Sequence, residues 1–217
     1  MAPYREWARN LGRNHAVVTF NYDTIPDILA KQDGKLFVPL PEELSASKDK
    51  AEQEDKAPVY KVHGSVNWFR DRNQVVSAKD RHGEADLTGN ASLRRQTLDE
   101  FAIGVPGPQK KNLISGCLSP LWNEAMSCIS VADIIIFVGY RFPPSDAMAR
   151  QGILGAIRKS ITDPKVIAIL GSGSPDAPRM EALLRAAIKE SVGSSEPRIL
   201  PLFAEDFLSL FWEMDLF

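Results

Sequence analysis

The sequence predicts an α/β fold, a Rossmann-like and mostly parallel sheet flanked by helices. Three observations carry that expectation. Short β-branched runs alternate along the chain with stretches of helical periodicity. Two of the runs, DIIIFVG at 133–139 and KVIAIL at 165–170, are apolar without alternation, as strands covered on both faces are, and glycine stops each. From residue 133 onward the order strand, helix, strand, helix calls for parallel pairing through right-handed crossovers.

The elements follow in order. MAPYREWARNLG, at 1–12, reads as the end of a helix leading into a strand, AVVTF at 16–20. The run SASKDKAEQEDK at 45–56 is dense in charge and suits a solvated helix or flexible loop. PVYKV at 58–62 is a strand that stops at His63-Gly64. Residues 70–112 are mostly polar, with strand signals at 74–78 and 101–105. So long a connection is expected to form a small insertion or lid on a single domain spanning 1–217. A helix over 121–131 carries Leu121, Trp122, Ala125, Met126 and Ile129 at helical spacing. The next, over 146–161, packs Met148, Ile153, Leu154 and Ile157, with Ser145 as its N-cap and Arg158 and Lys159 complementing the dipole at its end. Helices at 178–192 and 204–214 and a strand near 198–203 complete the pattern. The stripe Phe203, Phe207, Leu210, Phe211, Met214 is expected to pack into the core, part of it serving as an assembly surface.

Composition narrows the function. The 217 residues carry 26 Lys and Arg against 28 Asp and Glu, a formal net charge of -2. That balance provides no positive field to gather phosphates and argues against a nucleic-acid partner. Arg70, Arg72, Arg94, Arg95, Lys110 and Lys111 are intermixed with acids, as on a solvated surface. Apolar runs such as 134–138 are too short to cross a bilayer, and the N-terminus has no apolar signal region, so a cytoplasmic protein is expected. Cys117 and Cys128 form no CxxC pair, and His15, His63 and His82 are scattered. No zinc site is expected, and the cysteines read as reduced packing residues.

Ligands of open parallel sheets bind outside the carboxyl ends of the strands. Those ends carry Asn21-Tyr22-Asp23, His63-Gly64-Ser65, Gly139-Tyr140-Arg141 and Gly171-Ser172-Gly173-Ser174. An amide, a carboxylate, an imidazole, a guanidinium and several glycines at four strand ends are the ingredients of a nucleotide site, because glycine lets a phosphate approach backbone N–H groups. Each has a plainer reading. Asn21 and Asp23 suit an Asx-turn, 143–146 suits a turn with a helix cap, and 171–175 suits a flexible loop.

TFNYD at 19–23, KVHGSVNW at 61–68 and IIIFVGYRFPPSD at 134–146 resemble, in order and spacing, three blocks of the sirtuin superfamily. They are most similar to its bacterial sirtuin-like branch, whose members often consume NAD in anti-phage defence. The helix with Trp122 before the third block fits that branch too. The resemblance implies an NAD hydrolase that releases nicotinamide and ADP-ribose. His63 is then the general base toward a ribose hydroxyl, Asn21 orients the attacking water, and Asp23 supports the pocket. Thr19 and Gly64 become cofactor contacts within the same blocks. Gly139 and Tyr140 receive phosphate or the adenosine ribose, and Gly171 and Ser172 lie on the adenosine side. A histidine, with an ordinary pKa of about 6.5, suits proton removal at neutral pH.

Two departures matter. The glycine-rich G-A-G-x-S block that opens the sirtuin domain is not seen before Thr19, and Arg141 stands where the third block usually has serine. By the resemblance the chain is the C-terminal part of a larger domain, incomplete on its N-terminal side, with a partner chain or second copy supplying what is missing. The absent zinc-ribbon cysteines point away from protein deacylation. The alternative to an enzyme is a non-catalytic or truncated sirtuin-like module that needs such a partner.

Overall fold

Strand and helix alternate as expected in the computed structural model, which describes residues 2–45, 55–71, 74–77, 101–104, 116–189 and 195–214. Most of the charged run at 45–56 and of the polar stretch at 70–112 lies outside the described residues. The described elements begin with α1 (Ala2–Arg9), β1 (Val17–Thr19), α2 (Ile25–Asp33), β2 (Leu36–Phe37), α3 (Pro41–Ser45) and β3 (Ala57–Lys61). Then come β4 (Gly64–Asp71), β5 (Gln74–Ser77), β6 (Phe101–Ile103), α4 (Ser119–Val131) and β7 (Ile134–Val138). A 3-10 turn at Pro144–Asp146 leads into α5 (Ala147–Arg158), β8 (Lys165–Ile169), α6 (Ala177–Lys189), β9 (Arg198–Leu200) and α7 (Ala204–Leu210). The chain divides into two compact units, Ala8–Ala125 and Met1–Trp7 with Met126–Phe217.

In the unit Ala8–Ala125, β3 lies between β1 and β2, parallel to both, with Thr19 opposite Lys61. The central position explains the burial of Val59, Tyr60 and Lys61 on both faces, whereas the edge strand β1 is half-buried throughout. Helix α2 starts from an Asx-turn, in which the Ile25 N–H donates to Asp23 Oδ1 at 2.9 Å. Pro26 and Asp27 in its first turn suit a helix start, and Gly34, at φ 66°, closes it with an N–H to the Ala30 carbonyl. An antiparallel sheet, β5-β4-β6, adds to the expected parallel pairing. The chain turns at Val62-His63 and continues directly into β4.

In the other unit β7, β8 and β9 form a three-stranded parallel sheet with β8 at its centre, as the strand-helix alternation from residue 133 requires. Ile167 and Ile169 pack with Phe207, Leu208 and Phe211, and Tyr4 and Trp7 of α1 join that cluster. Burying side chains of this size is worth roughly 1.5–3 kcal/mol each. Two sequence expectations are corrected. Ser145 lies inside the 3-10 turn and Asp146 precedes α5, without a side-chain capping bond. Met148 is exposed, and the face that α5 buries is Ala149, Ile153, Leu154, Ala156 and Ile157. The C-terminal stripe splits: Phe207 and Phe211 are core, whereas Phe203 and Leu210 are exposed.

Candidate functional site

The parallel register of β1 and β3 brings the segment after Thr19 beside the segment after Lys61. Backbone bonds then tie the two together. The Val62 N–H donates to the Thr19 carbonyl at 3.2 Å, and the Val66 N–H donates to the Tyr22 carbonyl at 2.9 Å. Thr19 Oγ1 accepts the Asn21 N–H at 3.1 Å, which sets the first turn after β1. The Tyr22 hydroxyl donates to the Gly104 carbonyl at 3.2 Å, while the Gly104 N–H donates to the His63 carbonyl at 2.8 Å.

His63 sits at this corner with 4% of its surface exposed. Its ring lies 5.0 Å from Phe20 edge-on, 6.2 Å from Tyr22 in a stacked arrangement, and 5.9 Å from Trp122 on α4. Asn21, between Phe20 and Tyr22 in the chain, is exposed. The Trp122 indole N–H is buried with no hydrogen-bond acceptor among the described residues. A desolvated donor of this kind costs about 1–3 kcal/mol unless an acceptor meets it. Asp23 makes the Asx-turn that opens α2, so its structural part is visible. Gly64 likewise has a packing reason for being glycine. At φ 81° its backbone lies so close to β6 that an added Cβ would fall 1.7 Å from the Ala102 carbonyl oxygen.

Sequence reasoning missed the polar cluster beneath this corner. Lys61 is wholly buried, and its ammonium donates to the Asp23 carbonyl at 2.7 Å, to Asp27 Oδ2 at 2.8 Å and to Ser65 Oγ. Asn67 Nδ2 donates to Asp27 Oδ1 at 3.1 Å. Two signals were present in the sequence: a lysine inside an otherwise apolar strand, and polar residues at 65 and 67 with the period-2 spacing of one strand face.

The remaining candidates belong to the other unit. Gly139, at φ 70°, follows β7, is exposed and has open space where a Cβ would stand. Tyr140 is half-buried, and its hydroxyl donates to Asp146 Oδ2 at 3.4 Å. Burial first, and then the Asp146 carboxylate, pushes the Tyr140 phenol pKa up. Phe142 is buried at φ 49°, a left-handed conformation, and Arg179 donates to its carbonyl at 3.0 Å and to that of Arg141 at 2.6 Å. Gly171 lies against the Phe203 ring, and Ser172 is exposed. Thus Thr19, Asn21, Asp23, His63 and Gly64 come together in one unit. Gly139 and Tyr140 follow β7, and Gly171 and Ser172 follow β8, in the other.

The profile of the SIR2-like domain matches residues 15–191. The chain belongs to the SIR2-like domain family. The match covers both parallel sheets up to α6 and includes every candidate residue named above. No curated protein matches the chain. SIR2-like domains are NAD-associated, and the parallel-strand sheets flanked by helices suit that Rossmann-like fold. Among the described residues, no group of three or more His, Cys, Asp or Glu side chains is placed to hold a metal ion. Cys117 and Cys128 are not joined in a disulfide, and burial pushes the Cys117 pKa up, which lowers the thiolate fraction at neutral pH. No described helix is long and apolar enough to cross a membrane.

Proposed function

We propose that this SIR2-like domain hydrolyses NAD to nicotinamide and ADP-ribose at the corner formed by residues 19–23 and 62–65. The observation that carries the reading is the register that sets Thr19 opposite Lys61, so that exposed Asn21 and boxed His63 lie on adjoining segments. In the reaction the bond between ribose C1′ and the nicotinamide nitrogen breaks, and nicotinamide leaves neutral. A water oxygen then bonds to C1′, its proton passing to His63 directly or through a ribose hydroxyl. Asn21 orients that water. The walls of Phe20, Tyr22 and Trp122 hold the imidazole in one orientation, and the spare Trp122 N–H offers a donor to a polar group of the substrate. Thr19 and Gly64 shape the corner, and Gly139, Tyr140, Gly171 and Ser172 are assigned to the phosphates and adenosine.

The family's anti-phage role belongs with this proposal as a biological setting for NAD consumption. A second reading, a module that holds NAD without cleaving it and relies on a partner chain or second copy, draws on the 4% exposure of His63, a degree typical of packed histidines. Incubation of the purified chain with NAD, followed by chromatography, separates the two. The hydrolase yields nicotinamide and ADP-ribose in equal amounts. NAD that stays intact at high protein concentration while binding calorimetrically overturns hydrolysis in favour of the second reading. Intact NAD with no binding overturns both.

A further inference from the structure

We infer that Lys61 and Ser65 are positioning residues, a buried clamp that fixes the Asn21 segment against the His63 turn. The inference rests on reading that corner as the NAD-cleaving site.

A lysine at the centre of a buried strand is costly to desolvate, and an aliphatic residue would serve packing better. Lys61 is nevertheless wholly buried between Val59 and Val62, both apolar and buried. Each of its three ammonium protons has an acceptor, and the acceptors come from three separate pieces of chain. These are the Asp23 carbonyl after β1, the Asp27 carboxylate on α2 and the Ser65 hydroxyl on β4. Ser65, also wholly buried, shares its single proton between Asn67 Oδ1 and the Tyr22 carbonyl, 3.3 Å away. Asn67 closes the ring by donating to Asp27 Oδ1. Four side chains therefore hold one another while gripping two successive carbonyls, those of Tyr22 and Asp23.

The placement gives the clamp its meaning. Tyr22 directly follows Asn21, and Lys61 and Ser65 stand two residues to either side of His63. Both ends of the grip thus adjoin the two residues assigned to the reaction. Neither Lys61 nor Ser65 need touch substrate. Their part is to hold the amide and the imidazole in register, where an error of an ångström is worth up to about 100-fold in rate.

Kinetics of the full chain with NAD test this. Ser65→Ala removes the hub hydroxyl, and a Lys61→Met/Asp27→Leu double variant removes both charges together, leaving no lone buried ion. Ser160→Ala, a comparably buried hydroxyl bonded to Thr162 in the other unit, reports the cost of losing a merely structural bond. Expected for both clamp variants is a kcat about 10- to 100-fold lower, with KM for NAD within about threefold and folding retained. Ser160→Ala keeps kcat. A folded Ser65→Ala protein whose kcat stays within about threefold of the parent overturns the clamp. If the parent does not cleave NAD, the hydrolase reading fails by itself, and amide NMR decides the clamp. Shifts of Asn21 and His63 in Ser65→Ala, absent in Ser160→Ala, support it, and unchanged resonances overturn it.

Discussion

The two units end their strands in opposite ways. After β1 and β3 every segment is tied down: Tyr22 and Asp23 are gripped through their carbonyls, His63 is boxed by three aromatic rings, and Gly64 lies against the β6 backbone. After β7 and β8 Gly139 and Ser172 lie open to solvent, although Gly171 packs on the Phe203 ring, and among the described residues only chain neighbours come within 4 Å of where a Gly139 Cβ would stand. Two glycines at strand ends look alike in a sequence and answer to different physics. Gly64 is there because another backbone occupies the space. Gly139 is there because its φ of 70° disfavours a side chain, with no crowding neighbour among the described residues. A tied-down segment suits placing reacting groups, and an open one suits receiving a phosphate or sugar.

The sharpest way to break this comparison is to add one methyl group to each unit. Gly64→Ala should cost more than about 3 kcal/mol, since the Ala102 carbonyl must move. Gly139→Ala should cost about 1–2 kcal/mol, the strain of a left-handed residue alone. Urea denaturation of both variants gives the answer, and equal losses would contradict the distinction.

A smaller effect tests whether the open end is held from behind. Arg179→Met removes the guanidinium that bonds the Phe142 and Arg141 carbonyls, and should cost about 1–2 kcal/mol by the same denaturation. No loss would mean that the left-handed Phe142 needs no such support.

The smallest effect is a pH dependence confined to the open unit. Its fold favours the neutral Tyr140 phenol, whereas the unfolded chain ionises this tyrosine at about pH 10. The stabilisation is therefore fully present below pH 10 and declines as the pH rises beyond it. Melting temperatures of the parent should fall more steeply above pH 10 than those of Tyr140→Phe, and parallel curves would refute the assignment.

Much of this was legible in the sequence, for identifiable reasons. β8 was readable because a central parallel strand is apolar on both faces, and β7, at the sheet edge with alternating burial, because its β-branched run ends at a glycine. β4 was not, because Ser65 and Asn67 interrupt its apolar residues, and their reason for being there is a partner on α2 that local pattern does not reveal. Helix α2 was hidden by its own start, because the Asx-turn at Asp23 that leads into it is, in sequence, indistinguishable from a turn that merely closes a strand. His63 and Asn21 stand out in the sequence by their position after strands and their resemblance to family blocks. Lys61, four residues before Ser65, passed as a strand residue, since a buried lysine declares itself only when its acceptors are known.

One measurement addresses the central claim most directly: kcat and calorimetric NAD affinity compared across the parent, His63→Ala and Asn21→Ala chains. The account predicts that each substitution lowers kcat by about 100-fold or more while NAD affinity changes by less than about tenfold. Turnover by His63→Ala at the parent's rate would contradict it.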